Sequence, residues 1–561
     1  MPNNLNTSPH LCSSVLEEAV TDLQCGASWL TGASLASLRA LVDACAHRVV
    51  RNAKQWVNTA CQAKRIDANK PIAAEEILAG PATLMRYLHL LSRALQDAEH
   101  NGNPVLPGKS RINTQGRECI AVLPVKSLFD RLTFMGLHAE VWRHADASSN
   151  RFSDNWRVSA SKRTEITGVL GAGNVSSIPA TDMLYKIFHN RESVLLKLNP
   201  VNEYLEPFFN DAFRPLIDSN LLRIVCGGVE VGEAIVHHES IGSLHLTGSH
   251  LTHDAIVWGK DPVERVARQR ENRPLVNKQI TSELGNVTPW IIVLGQYARR
   301  DLRAQAEHVV ASIANNASFN CLATKMIVTS RGWAQRAEFL DLIDAMLRTI
   351  PPRYAYYPGA HQRFERATGK PSPNTDDGTL PWTLIRDANP NESPHLFEEE
   401  SFVCVCAETQ LPESDPIAFL DSAVDFVNEK LFGTLCATLT LPSGFRHSNA
   451  NALDRALVRL RYGSVCINQW SGVAYGLMTP PWGGYPGATL VDPQSGIGHV
   501  HNTFCISEVD KTVLWGPLCN FPKPVWFPTH RSANLVAWDL LHLYDQPTVF
   551  RLPKLFYHAI S

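Results

Sequence analysis

No stretch of this 561-residue chain approaches the roughly 18 consecutive apolar residues that a membrane helix needs. An excess of charge is also missing: 52 basic residues stand against 54 acidic ones, a formal net charge of −2. No long basic run carries interleaved aromatics, so nothing in the charge pattern favours nucleic acid or anionic lipid. Residues 1–12 lack a basic segment followed by an apolar stretch, so no secretory signal is expected, and the expected location is cytoplasmic. The 13 cysteines form neither CxxC pairs nor His/Cys clusters of zinc-finger spacing, so no metal site is expected. In a reducing compartment most of them read as small core residues. Cys404 and Cys406, two apart, would share one face of a strand and pack there. The GxGxxG fingerprint of the ordinary dinucleotide fold is absent as well.

What is present is ample apolar material: 44% of residues are hydrophobic, enough for two or three domains. Residues 1–30 read as loosely ordered or partly helical. Leu35, Leu38, Leu41, Val42, Cys45, Val49 and Val50 follow helical spacing, with Thr31 or Ser34 as a cap. A second helical stretch spans 73–95, and a strand is expected at 119–124. From there strands alternate with helices, at 167–171, 193–198, 222–226 and 243–247. That alternation predicts an α/β fold with a doubly wound parallel sheet, which binds ligands at the carboxyl ends of its strands. The charged stretch 260–273 reads as a surface insertion, and the aromatic, proline-rich tail 517–561 as packed on a surface. No repeat of 20–50 residues is found.

Chemistry-bearing segments occur in a fixed order. Gly173-Asn174 sits at a strand-end turn and Lys197 on the next strand. Thr247-Gly248-Ser249 follows a strand and opens a helix, where free backbone N–H groups could meet a phosphate. Glu283-Leu284-Gly285-Asn286-Val287-Thr288-Pro289 leads into another strand. Asn316-Ala317-Ser318-Phe319-Asn320-Cys321 comes next, then Glu400-Ser401-Phe402, Phe432-Gly433-Thr434-Leu435, Asn468 and Pro481-Trp482-Gly483-Gly484-Tyr485. Near the end stands Ile506-Ser507-Glu508-Val509-Asp510-Lys511-Thr512-Val513. Each segment also has a plain structural reading: a turn former, a buried thiol, an exposed lysine.

Taken in order, over about 165–515, these segments resemble the aldehyde dehydrogenase superfamily. The resemblance implies oxidation of a small-molecule aldehyde to a carboxylic acid with NAD or NADP. Cys321 would be the nucleophile, Asn174 and the Cys321 N–H the oxyanion donors, and Glu283 the general base that hydrolyses the thioester. Lys197 would meet the adenosine ribose or a 2′-phosphate. Thr247, Gly248 and Ser249 would form the pyrophosphate turn, with Gly285 beside the cofactor. Glu400 would hold the nicotinamide ribose, with Phe402 by the ring. The resemblance further implies a cofactor domain (1–130 as its helical part, 161–289 as the dinucleotide part) and an α/β catalytic domain at 290–490. A small β oligomerisation element would join 131–160 to 491–516, with 517–561 as an extension. A homodimer or homotetramer is expected, since an exposed edge strand needs cover.

Several positions depart from the family pattern. Gly171-Ala172-Gly173 replaces a Pro-Trp turn, His253 stands where a glycine follows the Ser249 turn, and Asn286 replaces a second glycine. Val403-Cys404 replaces Gly-Pro, and Pro200 stands where NAD-preferring relatives carry an acid, leaving NADP open. The insertion and the Gly-Ala-Gly-Asn turn are also similar to long-chain acyl-CoA reductases, which makes CoA-dependent acyl transfer the alternative activity. Relatives of that kind commonly lack the Glu283 carboxylate. A non-catalytic cofactor-binding or oligomeric scaffold is the alternative outside enzymes; Cys321, Glu283 and Asn174 together argue against it, because a fold needs none of them.

Overall fold

A computed structural model describes residues 9–153 and 165–560. Part of the expected bridging segment, 154–160, lies outside the described residues. Two sheets organise the chain. The first has five strands, Ile166–Leu170, Ser193–Lys197, Leu222–Val225, Ser243–Gly248 and Gln279–Leu284, with the first in the centre and the second and third on one side. Every neighbour pair is parallel. The chain leaves the central strand to one side and later returns on the other, which opens a crevice at the strands' carboxyl ends. Parallel strands covered on both faces read as continuous apolar runs, and all of Ser193–Lys197 is buried. The helix Ile178–Phe188 is buried along its whole length against this sheet. Of the two readings of residues 1–30, the helical one holds for Pro9–Gly32, and this helix packs on the sheet through Leu16, Val20 and Leu23. The next helix, Leu35–Ala63, starts where expected: the Ser34 hydroxyl accepts from the Ser37 N–H.

The second sheet has ten strands and is mixed. Six neighbour pairs run parallel, from Val509–Trp515 through Ser464–Ile467, Cys436–Thr440, Pro289–Ile292, Met326–Ser330 and Val405–Leu411 to Thr383–Ile385. Beyond Val509–Trp515 the sheet continues antiparallel through His138–Arg143, Glu118–Leu123 and the three-residue edge Ser110–Ile112. The strand Val509–Trp515 therefore pairs on one side with His138–Arg143 and on the other with the chain's own Ser464–Ile467. Cys404 falls just outside the strand that begins at Val405, because Val405 is the first residue to pair with Thr383; both Cys404 and Cys406 are nevertheless buried.

The insertion holds a helix, Pro262–Arg270, with no buried residue and a cap in which Asp261 accepts from Val263 and Glu264 N–H, each at 2.9 Å. The tail is built into the fold: the helix Ala533–Asp545 packs on Ala74–Ile77 and Thr83–Asn101. Among the described residues no helix is long and apolar enough to cross a membrane, and no group of His, Cys, Asp or Glu is arranged to hold a metal ion.

Candidate active site

The helix Arg299–Ala314 ends in a turn where three successive side-chain-bearing residues have left-handed backbone: Asn316 (φ 53°), Ala317 (53°) and Ser318 (69°). Such conformations cost about 1–3 kcal/mol each and persist only where surrounding contacts over-determine them. Here Asn316 supplies those contacts. Its amide donates to the carbonyls of Asn174 (3.0 Å) and Phe319 (3.1 Å) and to Asn320 Oδ1 (3.1 Å). Its Oδ1 accepts from Lys64 Nζ and from the Tyr356 hydroxyl, each at 2.9 Å. Its N–H donates to Glu75 Oε2 at 3.1 Å. Five residues on, the Cys321 carbonyl accepts from Thr288 Oγ1 at 3.1 Å, tying the loop to the Glu283–Pro289 segment.

Asn174 follows a tightly packed glycine: a Cβ on Gly173 would lie 2.6 Å from the Asn199 side chain, which would have to shift. The buried Asn174 amide donates to the Phe319 carbonyl at 2.9 Å, two residues before Cys321. Glu283 lies near the end of the strand Gln279–Leu284 and is buried. Its carboxyl lies near the Cys321 thiol and the Trp482 side chain. Burial pushes the Glu283 carboxyl up to about 7, with the neighbouring Cys321 thiol acting in the opposite direction. Burial, and after it the Glu283 charge, hold the Cys321 thiol well above the usual thiol range. The thiol is therefore held in its protonated form, with the Glu283 carboxyl beside it.

Two cavities meet here. One, of about 770 Å³, is lined by Cys321 and Asn174 at one end and by the C-terminal extension further out. The other, of about 1360 Å³, is lined by Cys321, Asn174 and Glu283 and runs along the carboxyl ends of the first sheet. All seven residues expected at a cofactor, Lys197, Thr247, Gly248, Ser249, Gly285, Glu400 and Phe402, line this second cavity. Ser249 caps the helix His250–Val257, its hydroxyl accepting from the Thr252 N–H at 3.2 Å. Lys197 donates to the Leu198 carbonyl at 3.2 Å, and burial lowers its pKa. Glu400 packs so tightly on the Gly285 backbone that a Cβ there would lie 1.8 Å from its Oε2. The other carboxylate oxygen, Oε1, is buried without a hydrogen-bond partner in the chain. Burial raises the Glu400 pKa while the Lys325 ammonium opposes it. Phe402 (φ 41°) lies against Tyr357 and Phe319, with ring centroids 5.1 and 5.9 Å apart.

The departures from the family pattern have structural roles. His253 is buried inside the helix rather than lying in the turn. Asn286 donates to the Cys436 carbonyl at 3.2 Å and accepts from Thr288 at 3.1 Å. The Val403 carbonyl accepts from Lys325 Nζ at 2.7 Å. Sequence reasoning missed Lys64, Asn316, Tyr356 and Lys325, which hold the Cys321 loop and the Glu400 turn. Asn316 lies in the motif that was singled out; nothing local marks Lys64, which sits at the end of a helix far upstream.

Residues 196–352 match the model of the aldehyde dehydrogenase family. No curated protein sequence is a significant match. Among solved structures, the chain is similar to the glyceraldehyde-3-phosphate dehydrogenase GapN of Methanocaldococcus jannaschii, complexed with NADP (14% identity, TM-score 0.57, covering 89% of this chain and 94% of that one). It is likewise similar to an NAD-dependent aldehyde dehydrogenase of Sinorhizobium meliloti (16%, TM-score 0.58, 91% and 88%). A third is betaine aldehyde dehydrogenase of Staphylococcus aureus in complex with NAD+ (14%, TM-score 0.58, 89% and 87%).

The family-model match thus covers residues 196–352, and the fold as a whole is that of the aldehyde dehydrogenase structures.

Identities this low carry the fold and not the substrate. The fold expected from the alternating strands and from the motif order is the one observed.

Proposed function

We propose that this protein oxidises an aldehyde to a carboxylic acid with NAD or NADP, using Cys321 as nucleophile and Glu283 as base. The observation that carries this reading is the position of Cys321 at the junction of two cavities, one reaching outward and one running along the sheet's carboxyl edge. A dinucleotide suits the second: its volume is about 1360 Å³, the capped helix N-terminus at Ser249 favours a phosphate, and the unpartnered Glu400 Oε1 can accept from ribose hydroxyls. Lys197, at the strand end, would take the adenosine side.

The chain's own residues then account for the chemistry. Glu283 takes the proton of the Cys321 thiol, and the thiolate adds to the aldehyde carbon to give a thiohemiacetal. An Asn174 amide N–H and the Cys321 N–H stabilise the oxygen that becomes negative. A bound nicotinamide supplies the hydride acceptor, and a thioester is left on Cys321. Glu283, having released its proton to solvent, takes one from the attacking water. The acid departs and Cys321 leaves as a thiolate, which is reprotonated.

The test is aldehyde-dependent formation of reduced nicotinamide, with and without coenzyme A. The expected result is turnover to the free acid without coenzyme A, lost in Cys321→Ser. A strict need for coenzyme A would replace this reading with acyl transfer. Absence of both turnover and nicotinamide binding would replace it with a scaffold role.

A further inference from the structure

The outer cavity has walls of its own chemistry. Its inner end holds Cys321, Asn174 and Trp470, whose indole donates to the Leu322 carbonyl at 3.1 Å. Beyond that, the C-terminal extension forms much of the wall, through Val525, Trp526, Leu540 and Leu555 among others. The extension is firmly fixed. Gln305 donates to the Leu518 carbonyl at 2.7 Å, Gln469 donates to the Pro517 carbonyl and to Asn520 Oδ1 at 2.9 Å each, and the His308 ring stands edge-on to Phe527 at 4.6 Å. Val536, Leu540, Leu543 and Leu555 close a small core beneath it.

The least exposed charges on this wall are already in ion pairs, although Arg86 Nη2 has no hydrogen-bond partner in the chain. Arg86 pairs with Asp130, and Glu75 pairs with Arg353 at 3.2 Å. The other charged side chains at this cavity, such as Lys70 and Lys523, are exposed. A phosphate, carboxylate or ammonium on the substrate would lose its hydration here and, away from the exposed rim, meet only charges that already have a counter-charge. An apolar group would gain about 0.8 kcal/mol per buried methylene, roughly a fourfold gain in binding for each. At about 770 Å³ the space is of the size that encloses a drug-sized ligand rather than a two- or three-carbon aldehyde.

Resting on the activity proposed above, we infer that the substrate is an uncharged aldehyde bearing a bulky apolar group, aryl or long alkyl, and that the extension 517–560 reads that group.

The experiment compares kcat/KM for propanal, hexanal, decanal and 2-naphthaldehyde with that for glyceraldehyde 3-phosphate and betaine aldehyde. The expected series rises about two- to fourfold per methylene from propanal to decanal. The naphthyl compound should lie near decanal, and both charged aldehydes at least 100-fold below it. A flat or falling series, or a preference for a charged aldehyde, overturns the inference while leaving aldehyde oxidation intact. Trp526→Ala should lower the decanal-to-propanal ratio at least tenfold, and Trp526→Phe should hold it within threefold; an unchanged ratio in Trp526→Ala overturns the role of the extension. Calorimetry on Cys321→Ala with 1-decanol and ethanol reads the cavity without turnover. Decanol binding at least 100-fold tighter supports the inference even if no aldehyde is oxidised, a result that would sink only the activity. Equal affinity for the two alcohols overturns the inference.

Discussion

Lys64 donates from a buried ammonium to the backbone carbonyl of Asn174, 3.1 Å away and 110 residues later in the chain. The same ammonium pairs with Glu76 at 2.8 Å and with Asn316 Oδ1 at 2.9 Å. One side chain at the end of the helix Leu35–Ala63 thus holds both the Asn174 turn and the strained loop before Cys321. Removing one partner of a buried pair is costly, about 3–5 kcal/mol, because the other charge is left unpaired. Lys64→Met should therefore lower Tm by several degrees and change the alkylation rate of Cys321 at fixed pH. Thermal melts and iodoacetamide kinetics measure both; if neither moves, Lys64 does not hold the loop.

Glu283→Gln is expected to separate the two halves of the reaction. The amide cannot take a proton, so any acyl group that forms on Cys321 should persist. Intact mass spectrometry should find an acyl-enzyme after mixing with aldehyde and cofactor. Steady turnover should fall at least a hundredfold, the upper part of what a positioned base contributes. Full steady-state turnover in this variant would remove Glu283 from the base role.

The pH dependence follows from the same carboxyl. Burial raises Glu283 above its ordinary value of 4.5 to about 7. Below that pH it is a neutral acid, and above it a carboxylate able to act as base. The ratio kcat/KM should rise with pH through about 7, and Glu283→Gln should lose that limb. Stability runs the other way. A carboxyl with a raised folded-state pKa contributes fully below about 4.5 and loses that contribution as pH rises through about 7. Glu283→Gln should therefore gain stability relative to wild type at pH 8 and not at pH 4, as read by urea unfolding at both values.

Asn174→Ala should lower kcat by about a hundredfold, the usual loss for one oxyanion donor. It also removes the hydrogen bond to the Phe319 carbonyl at 2.9 Å, so the Cys321 loop loses a tether. Cofactor affinity, read by fluorescence titration, should stay within about threefold. A large loss of cofactor binding with little change in kcat would argue for a purely structural Asn174.

Gly285→Ala tests the cofactor side. A Cβ there would stand 1.8 Å from Glu400 Oε2, so the carboxylate must move. Losing its hydrogen bonds to a ribose should weaken nicotinamide binding about tenfold, close to the worth of one hydrogen bond to a charged group. Unchanged affinity would show that Glu400 is not a cofactor contact.

Much of this was legible before any fold was known. The alternation of strands and helices marks a parallel sheet because buried strands must be apolar while their connections must turn at Gly, Asn and Pro. The helix at Leu35 could be placed from its 3.6-residue spacing and the Ser34 cap, both local properties. The helix Pro9–Gly32 is less legible, because its apolar face finds its partner only on the first sheet. Cys404 could not be placed relative to its strand, since a strand's first paired residue depends on where its neighbour begins.

The sequence by itself determined the candidate chemistry: a thiol, a carboxyl and an amide in a fixed order, with glycines at the turns between them. Covalent order and local backbone preference are enough for that. Only the tertiary structure decided that Glu283 faces Cys321, that Lys64 and Asn316 hold the loop, and that the extension walls the outer cavity. Those contacts join segments distant in sequence, 252 residues apart for Lys64 and Asn316. Their strength comes from burial, which raises the Glu283 carboxyl and makes each buried partner costly to lose.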